Sequence, residues 1–537
     1  MTTEGEGGVK TTNRSIAGRL GAVALGITAM LTVGCTETEI QFVDREPFNP
    51  PPDAAAGFLG YYTPSDKQTT CGNCHIGVQT VWAASAHADA WATLEGSGHA
   101  QAFCNGCHTV SELGNAVDSA AGYNRVADSA YHDVQCESCH GPGLVHIQEP
   151  GATQPYASIA IDSILDAATN GCGECHTGTH HPFVEQWAAS KHGFAGHAYL
   201  AEGGRPECAG CHEGRAAILE KFNETGHYVE KSDATNYQPI LCATCHDPHG
   251  SPYDGQLRAS ASIPSRDNLC VSCHSRKAAP SGTMTRGAHA AQGLLVIGED
   301  AGWIPPNFTY DTNRIVSSHG TLGNPRLCAT CHVPKFDVTD AATGEFLLTS
   351  VGHTFEAIQC LDAQGLPTAG PCTDAQRDFR SCATAGCHTS ELGARGAFQA
   401  ARSRMEFLTD QLWLDVNGNG TIDPHPTDTG LLARIVANND TAALNPSDQT
   451  TTVAEGALWN AQLAATHNRA FLLGGRVFGR NFSAHKASGE GTHNPFLLEA
   501  LLTASISAVQ QTYMLPSPPA EAMATQLTEP PGWRRVR

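Results

Sequence analysis

Cys71-Gly72-Asn73-Cys74-His75 opens a series of pentapeptides that decides how the whole chain is read. The spelling Cys-x-x-Cys-His returns at Cys104, Cys107 and His108; at Cys136, Cys139 and His140; and at Cys172, Cys175 and His176. It continues at Cys208, Cys211 and His212; at Cys242, Cys245 and His246; at Cys270, Cys273 and His274; and at Cys328, Cys331 and His332. This is the covalent haem-attachment signature. Two thiols add to the two vinyl groups of one haem, and the His that follows reaches the iron as proximal ligand. A shuffled chain of this composition would give roughly 0.04 matches. Cys382, Cys387 and His388 close the series with a wider gap and are read as a ninth site. Zinc is the rival metal for paired Cys and His, but an adjacent Cys-His in every copy suits haem better than a tetrahedral site.

The distal position follows from counting. Behind the N-terminal segment only Met284, Met405, Met514 and Met523 remain, too few for nine sites. The chain holds 26 His, so bis-His coordination throughout is the economical expectation, with low-spin iron at low potential. The candidate distal ligands are His87, His146, His192, His227, His249, His289, His319, His353 and His493. Two of them share a setting. Trp82-Ala83-Ala84-Ser85 precedes His87, and Trp187-Ala188-Ala189-Ser190 precedes His192, an internal repeat.

Working outward, the first 34 residues read as a signal peptide. Lys10, Arg14 and Arg19 form a basic flank, and Leu20 to Val33 is an apolar run too short to span a bilayer. Cys35 directly after it suggests a lipid anchor holding the chain on a membrane surface. A plain secretory signal with a leftover Cys is the alternative. Residues 35–70, with Pro47, Pro50, Pro51 and Pro52, read as a stiff tether. The haem-bearing domain spans 71–388, a helical region 389–515, and a loose Pro-rich tail 516–537. Localisation is expected to be exported, periplasmic or on the outer membrane or cell surface. Cys360 and Cys372 remain for a disulfide, with other pairings open if Cys382 and Cys387 hold no haem.

Composition narrows the fold. Aromatic residues make up 7% of the chain and long Gly-, Ala-, Ser- and Thr-rich stretches separate the motifs, so haems replace side chains as filler. The expected fold is mainly α with much irregular coil, wrapped around a haem stack, with little sheet. Apolar spacing predicts helices over Leu392–Leu412, Gly456–Leu472 and Pro495–Tyr513, packing back onto the stack. Asn494 caps the last of these and Pro495 suits its first turn, leaving His493 just outside it. Asp415, Asn417, Asn419 and Asp423 alternate like the start of a calcium loop, although Pro426 stands where an EF-hand has Glu. The formal net charge of −21 argues against nucleic-acid binding and fits a solvated acidic surface.

The haem series resembles the large multihaem c-type cytochromes of respiratory bacteria. CESCHGPGLVH at 136–146, CATCHDPHG at 242–250, CATCHVP at 328–334 and His493-Asn494-Pro495 before a helix are similar in wording to the hydroxylamine oxidoreductase, multihaem nitrite reductase and tetrathionate reductase group. The resemblance implies one of two functions. One is an electron carrier between other redox proteins, a quinone-linked donor and a periplasmic or extracellular acceptor. The other is a reductase or oxidoreductase acting on a small nitrogen or sulfur compound at one open haem. Every motif here ends in His rather than the Lys that marks the nitrite reductases' catalytic haem, which favours the carrier; no catalytic residue is assigned.

Overall fold

Four helices lie beyond the last Cys motif, where the chain has no attachment motif and builds its core from side chains. In the computed structural model they are α1 (Glu391–Leu412), α2 (Leu431–Ala437), α3 (Val453–Ala464) and α4 (Pro495–Thr512). The structure describes residues 49–527 apart from 156, 158, 160–170, 179–180, 194–205, 223–236, 282–286, 309–317, 321–323, 341, 363–367, 369–372, 384–387, 466–475 and 483–489. The signal segment, Cys35, His227, Cys372 and Cys387 therefore lie outside the described residues. The chain divides into two units, Met1–Pro50 and Pro51–Arg537. Only Asn49 and Pro50 of the first are described.

Helix α1 buries Ala394, Ala401, Met405, Leu408 and Leu412, one stripe at three- and four-residue spacing. The Ser390 hydroxyl caps its start by accepting from the Gly393 N–H. Helix α3 is buried on all sides and starts with a capping box of Thr452 and Glu455. Helix α4 begins as expected, with Asn494 accepting from the Leu497 N–H and Pro495 in the first turn. Helix α2 was not expected from the sequence; its seven residues are too few to show a period.

Trp413, Trp459, Leu408, Leu432, Leu498, Leu501 and Leu502 are almost fully buried in the continuous core that these helices share. Each such side chain stabilises the fold by about 1.5–3 kcal/mol. The core extends to Val271, Leu294 and Leu295 beside the seventh motif. Two hydrogen bonds fasten it there. The Trp459 indole N–H donates to the Ala278 carbonyl at 2.9 Å, and the Asn494 amide donates to the Leu295 carbonyl at 2.8 Å. The helical region thus packs back on the haem-bearing run.

That run is built differently. Its apolar clusters are small: Phe58, Val110, Ala121 and Tyr131 form one, and Tyr61, Trp82 and Ala88 another. Short helices carry the motifs, as at Cys136–His140, Cys172–Cys175, Cys242–Cys245 and Cys328–His332. Sheet is confined, among the described residues, to three two-stranded antiparallel ribbons: β1 (Tyr61–Thr63) with β2 (Gln68–Thr69), β3 (Phe336–Thr339) with β4 (Phe346–Ser350), and β5 (Arg476–Val477) with β6 (Arg480–Asn481). No helix among the described residues is long and apolar enough to cross a membrane.

Two expectations need correcting. Residues 51–70 are not a tether. The Leu59 and Gly60 N–H groups donate to the buried Glu137 carboxylate, and the Asp53 N–H donates to the Tyr131 hydroxyl. Proline density here stiffens a packed segment rather than a spacer. The tail is not loose as far as Leu527. Buried Ala522 packs on the core, and the Gln526 and Leu527 N–H groups donate to Glu499. Glu499 in turn pairs with Arg404 at 2.6 Å, with both side chains nearly fully buried. His493 lies just outside α4, as expected, at the end of a separate one-turn helix, Glu490–His493.

Candidate metal centre: paired histidines

Seven of the motif His rings face a second imidazole at nearly one distance. His75 faces His146 at 6.4 Å between ring centroids, His140 faces His249 at 6.3 Å, and His176 faces His87 at 6.3 Å. His212 faces His289 at 6.1 Å, His246 faces His353 at 6.3 Å, His274 faces His192 at 6.1 Å, and His332 faces His493 at 6.2 Å.

That distance is chemically informative. An imidazole nitrogen sits about 2.0 Å from a first-row metal and about 1.1 Å from its ring centroid, so one metal between two collinear imidazoles separates the centroids by about 6.2 Å. Ordinary aromatic pairs have no reason to cluster there; contacts of 4–6 Å are as common. Such contacts do occur in this chain, as in His132 stacked on Trp91 at 4.0 Å. The paired rings therefore fit a single iron between them, with two thiols of the same motif alongside to attach the macrocycle.

The rings are also oriented for coordination. The Nδ1 atoms of His140, His246 and His332 lie 2.6, 2.5 and 2.8 Å from the carbonyls of Pro155, Gly255 and Phe355. His108 does the same with Ala90 at 2.9 Å, His146 with Thr153 at 2.6 Å and His353 with Val351 at 3.0 Å. A carbonyl can only accept, so Nδ1 carries the proton and Nε2 presents its lone pair to the metal. Burial and the neighbouring His87, His181, His246 and His353 hold His176 down to about 4. Burial with His274, His332 and His353 holds His192 at about 4 as well. Burial likewise lowers His87, His212, His274 and His319. Neutral imidazole is the form that binds iron.

The structure thus brings seven of the nine candidate distal His onto a motif His. An eighth, His319, is buried near His388, and burial with that neighbour holds it below the ordinary imidazole value. His227 lies outside the described residues, and among the described residues no imidazole faces His108. Cys360 is in a disulfide, whereas Cys382 is a free thiol among the described cysteines. Cys382 is thereby excluded from the pairing that its spacing left open.

Sequence reasoning missed two aromatic side chains. Phe183 stands edge-on to His176 at 5.5 Å and to His353 at 4.9 Å. Phe355 touches His192 at 4.5 Å and His353 at 5.5 Å. Phe355 holds φ at 55°, a left-handed value that bulky residues rarely adopt, so the site rather than the local turn dictates its position. A chain this poor in aromatics offered a weak signal: each Phe near a motif carries more meaning than usual.

In the calcium-like loop, Asp415 accepts from the N–H groups of Gly418, Asn419 and Gly420. The Asn417 and Asn419 amides both donate to Asp423 at 2.8 Å. The loop is closed by its own side chains.

Comparison with known proteins points the same way as the attachment motifs. Residues 236–279 match the family model described as doubled CXXCH motif, and residues 70–141 match that of cytochrome c554 and c-prime. The multiheme cytochrome MtrA of Shewanella baltica is 30% identical over 193 residues, 33% of this chain and 53% of the relative. In these stretches the chain is similar to multihaem c-type cytochromes. The C-type polyheme cytochrome OmcB of Geobacter sulfurreducens is 26% identical to it over 199 residues, 32% of this chain and 24% of that one. The chain spans about half the length of the first relative and about a quarter of the second. Among solved structures, the outer cell wall cytochrome OcwA aligns over 78% of both chains at 15% identity and a TM-score of 0.43.

Proposed function

We propose that this cytochrome carries electrons through nine closely spaced haem sites and performs no chemistry on a substrate. When bound, each haem supplies a one-electron iron couple whose potential follows its axial ligands. The chain's residues do the rest. Cys71 and Cys74, and their counterparts through Cys382 and Cys387, anchor the macrocycles. His75, His108, His140, His176, His212, His246, His274, His332 and His388 bind from one side. His146, His249, His87, His289, His353, His192 and His493 close the other side of sites one, three, four, five, six, seven and eight. His319 closes the ninth, and His227 is the remaining candidate for the second.

The observation that carries this reading is the cluster of seven imidazole pairs between 6.1 and 6.4 Å. An iron held on both faces has no free position for a substrate. The carbonyls on Nδ1 add basicity to the ligands, which favours ferric iron and a low potential. The working partners are a quinone-linked donor and a periplasmic or extracellular acceptor. Export through segment 1–34 and lipidation at Cys35 would place the chain on a membrane surface facing them. Haem-bearing segment 71–388 and helical segment 389–515 act as one conduit, since His493 serves site eight. Cys372 is the proposed partner of Cys360. Calcium is the proposed occupant of the loop at Asp415, Asn417, Asn419 and Asp423, with both amides turned to present oxygen; a rise in melting temperature with calcium but not magnesium tests it.

Electron paramagnetic resonance of the oxidised protein tests the conduit itself. Low-spin ferric signals alone are expected. A stoichiometric high-spin signal that nitrite or hydroxylamine perturbs would sink it in favour of a reductase. Intact mass tests the count: eight haems rather than nine would return Cys382 and Cys387 to thiol chemistry.

A further inference from the structure

The two Trp-Ala-Ala-Ser-x-His stretches occupy matching places in the fold. The Trp82 indole donates to the Val134 carbonyl at 3.0 Å, and the Trp187 indole to the Ile240 carbonyl at 2.7 Å. The Val134 N–H donates to the His87 carbonyl at 3.1 Å, and the Ile240 N–H to the His192 carbonyl at 3.0 Å. Val134 stands two residues before motif three and Ile240 two residues before motif six. His87, placed after motif one, faces the His of motif four, and His192, placed after motif four, faces the His of motif seven. Each crosses to the third motif after its own.

The attachment thiols repeat the same pattern. The first thiols of motifs one and three, Cys71 and Cys136, lie side by side, and so do those of motifs four and six, Cys172 and Cys242. The second thiols of motifs two and four, Cys107 and Cys175, are neighbours in the same way, and so are those of motifs five and seven, Cys211 and Cys273. Cys139 of motif three lies next to Cys175 of motif four, and Cys245 of motif six next to Cys270 of motif seven. Beyond motif seven the rule changes: Cys270 lies beside Cys328, and Cys331 beside Cys382, which joins seven to eight and eight to nine.

We propose that the haem-bearing run is two tandem copies of a three-motif unit, motifs one to three and four to six, and that this lays the sites out as a branched line. The spine runs one, three, four, six, seven, eight, nine. Sites two and five hang from it as side positions, two on four and five on seven. Sequence order is therefore not the order in space. The imidazoles agree: His176 of site four lies beside His246 and His353 of site six, and His192 of site seven lies beside His332 of site eight. Resting on the conduit reading, electrons can run the length of the spine without visiting two or five. These are placed to load or unload it from the side.

The test counts neighbours. In the full exported chain, one site at a time is removed by paired substitutions, with loss of a single haem verified by intact mass. Paramagnetic nuclear magnetic resonance then counts which remaining haems shift. Cys104→Ala with Cys107→Ala should move one other haem, the one at site four. Cys172→Ala with Cys175→Ala should move three: those at two, three and six. Where a deletion fails to mature, His289→Met at site five and His87→Met at site four keep every haem attached. They should perturb one and three neighbours respectively. Two or more shifted neighbours for site two or five, or only one for site four, would overturn the branched line. The counts do not depend on the conduit: a substrate-responsive high-spin signal would refute electron carriage and leave the layout intact.

Discussion

Removing the Glu137 carboxylate should detach residues 51–70 from the haem-bearing run. Glu137 lies inside the third motif, between Cys136 and Ser138, and is 3% exposed. Its two oxygens accept from the Leu59 N–H at 2.9 and 2.8 Å, from Gly60 at 2.8 Å and from Gly143 at 2.8 Å. Glu137→Ala leaves three buried N–H groups without an acceptor, at about 1–3 kcal/mol each. Water reaching the cavity would recover part of that, so a net loss of about 3–6 kcal/mol is expected. Each 1.4 kcal/mol is about tenfold, so amide protection at Leu59 and Gly60 should fall by roughly 100-fold or more. Hydrogen exchange read by mass spectrometry over the peptide containing residues 51–70 measures this directly. Intact mass shows whether the third haem is still attached. Protection within about threefold of the parent, with the haem count unchanged, would refute the claim that this one carboxylate anchors the segment.

Other substitutions probe the remaining links. His493→Met should leave all haems attached, keep one iron low-spin with a sulfur ligand, and raise the potential of that site alone; redox titration reads the shift, and an unchanged titration would remove His493 from the coordination set. Arg404→Met should destabilise the helical region by about 3–5 kcal/mol, because Glu499 stays buried without its partner. Thermal unfolding followed by far-ultraviolet dichroism measures it, and a loss below about 1 kcal/mol would show that the tail amides suffice. Acid should open the sites. His176 and His192 titrate near 4 when folded against about 6.5 when unfolded, so the unfolded chain takes up protons first. Stability is then lost as pH falls from about 6.5 toward 4, by up to about 3 kcal/mol per group. High-spin iron appearing over that window in an acid titration is the expected signature, and appearance only on the alkaline side would contradict the sign.

The attachment motifs were legible because covalent haem chemistry needs a fixed local spelling. Cys71 through His332 can be found without any fold. The facing imidazoles were half legible: the shortage of Met and surplus of His pointed to the residue type, and the echoed Trp-Ala-Ala-Ser context marked His87 and His192, which each face a motif His. Which motif each one meets was not legible, since His140 with His249 and His332 with His493 are brought together across the fold. Residues 51–70 misled for a related reason. Proline density describes local stiffness, whereas the Glu137 carboxylate that captures the segment lies in a motif far along the chain.

The sequence by itself thus determined the cofactor, the number of attachment motifs and the helical capping at Asn494. Each of these depends on residues within a few positions or on a count. Tertiary structure decided the pairing of imidazoles, the thiol contacts that order the sites and the fastening of α4 to the run through Leu295. Coordination distance is a property of two side chains in space, and nothing in a linear spacing of motifs specifies it.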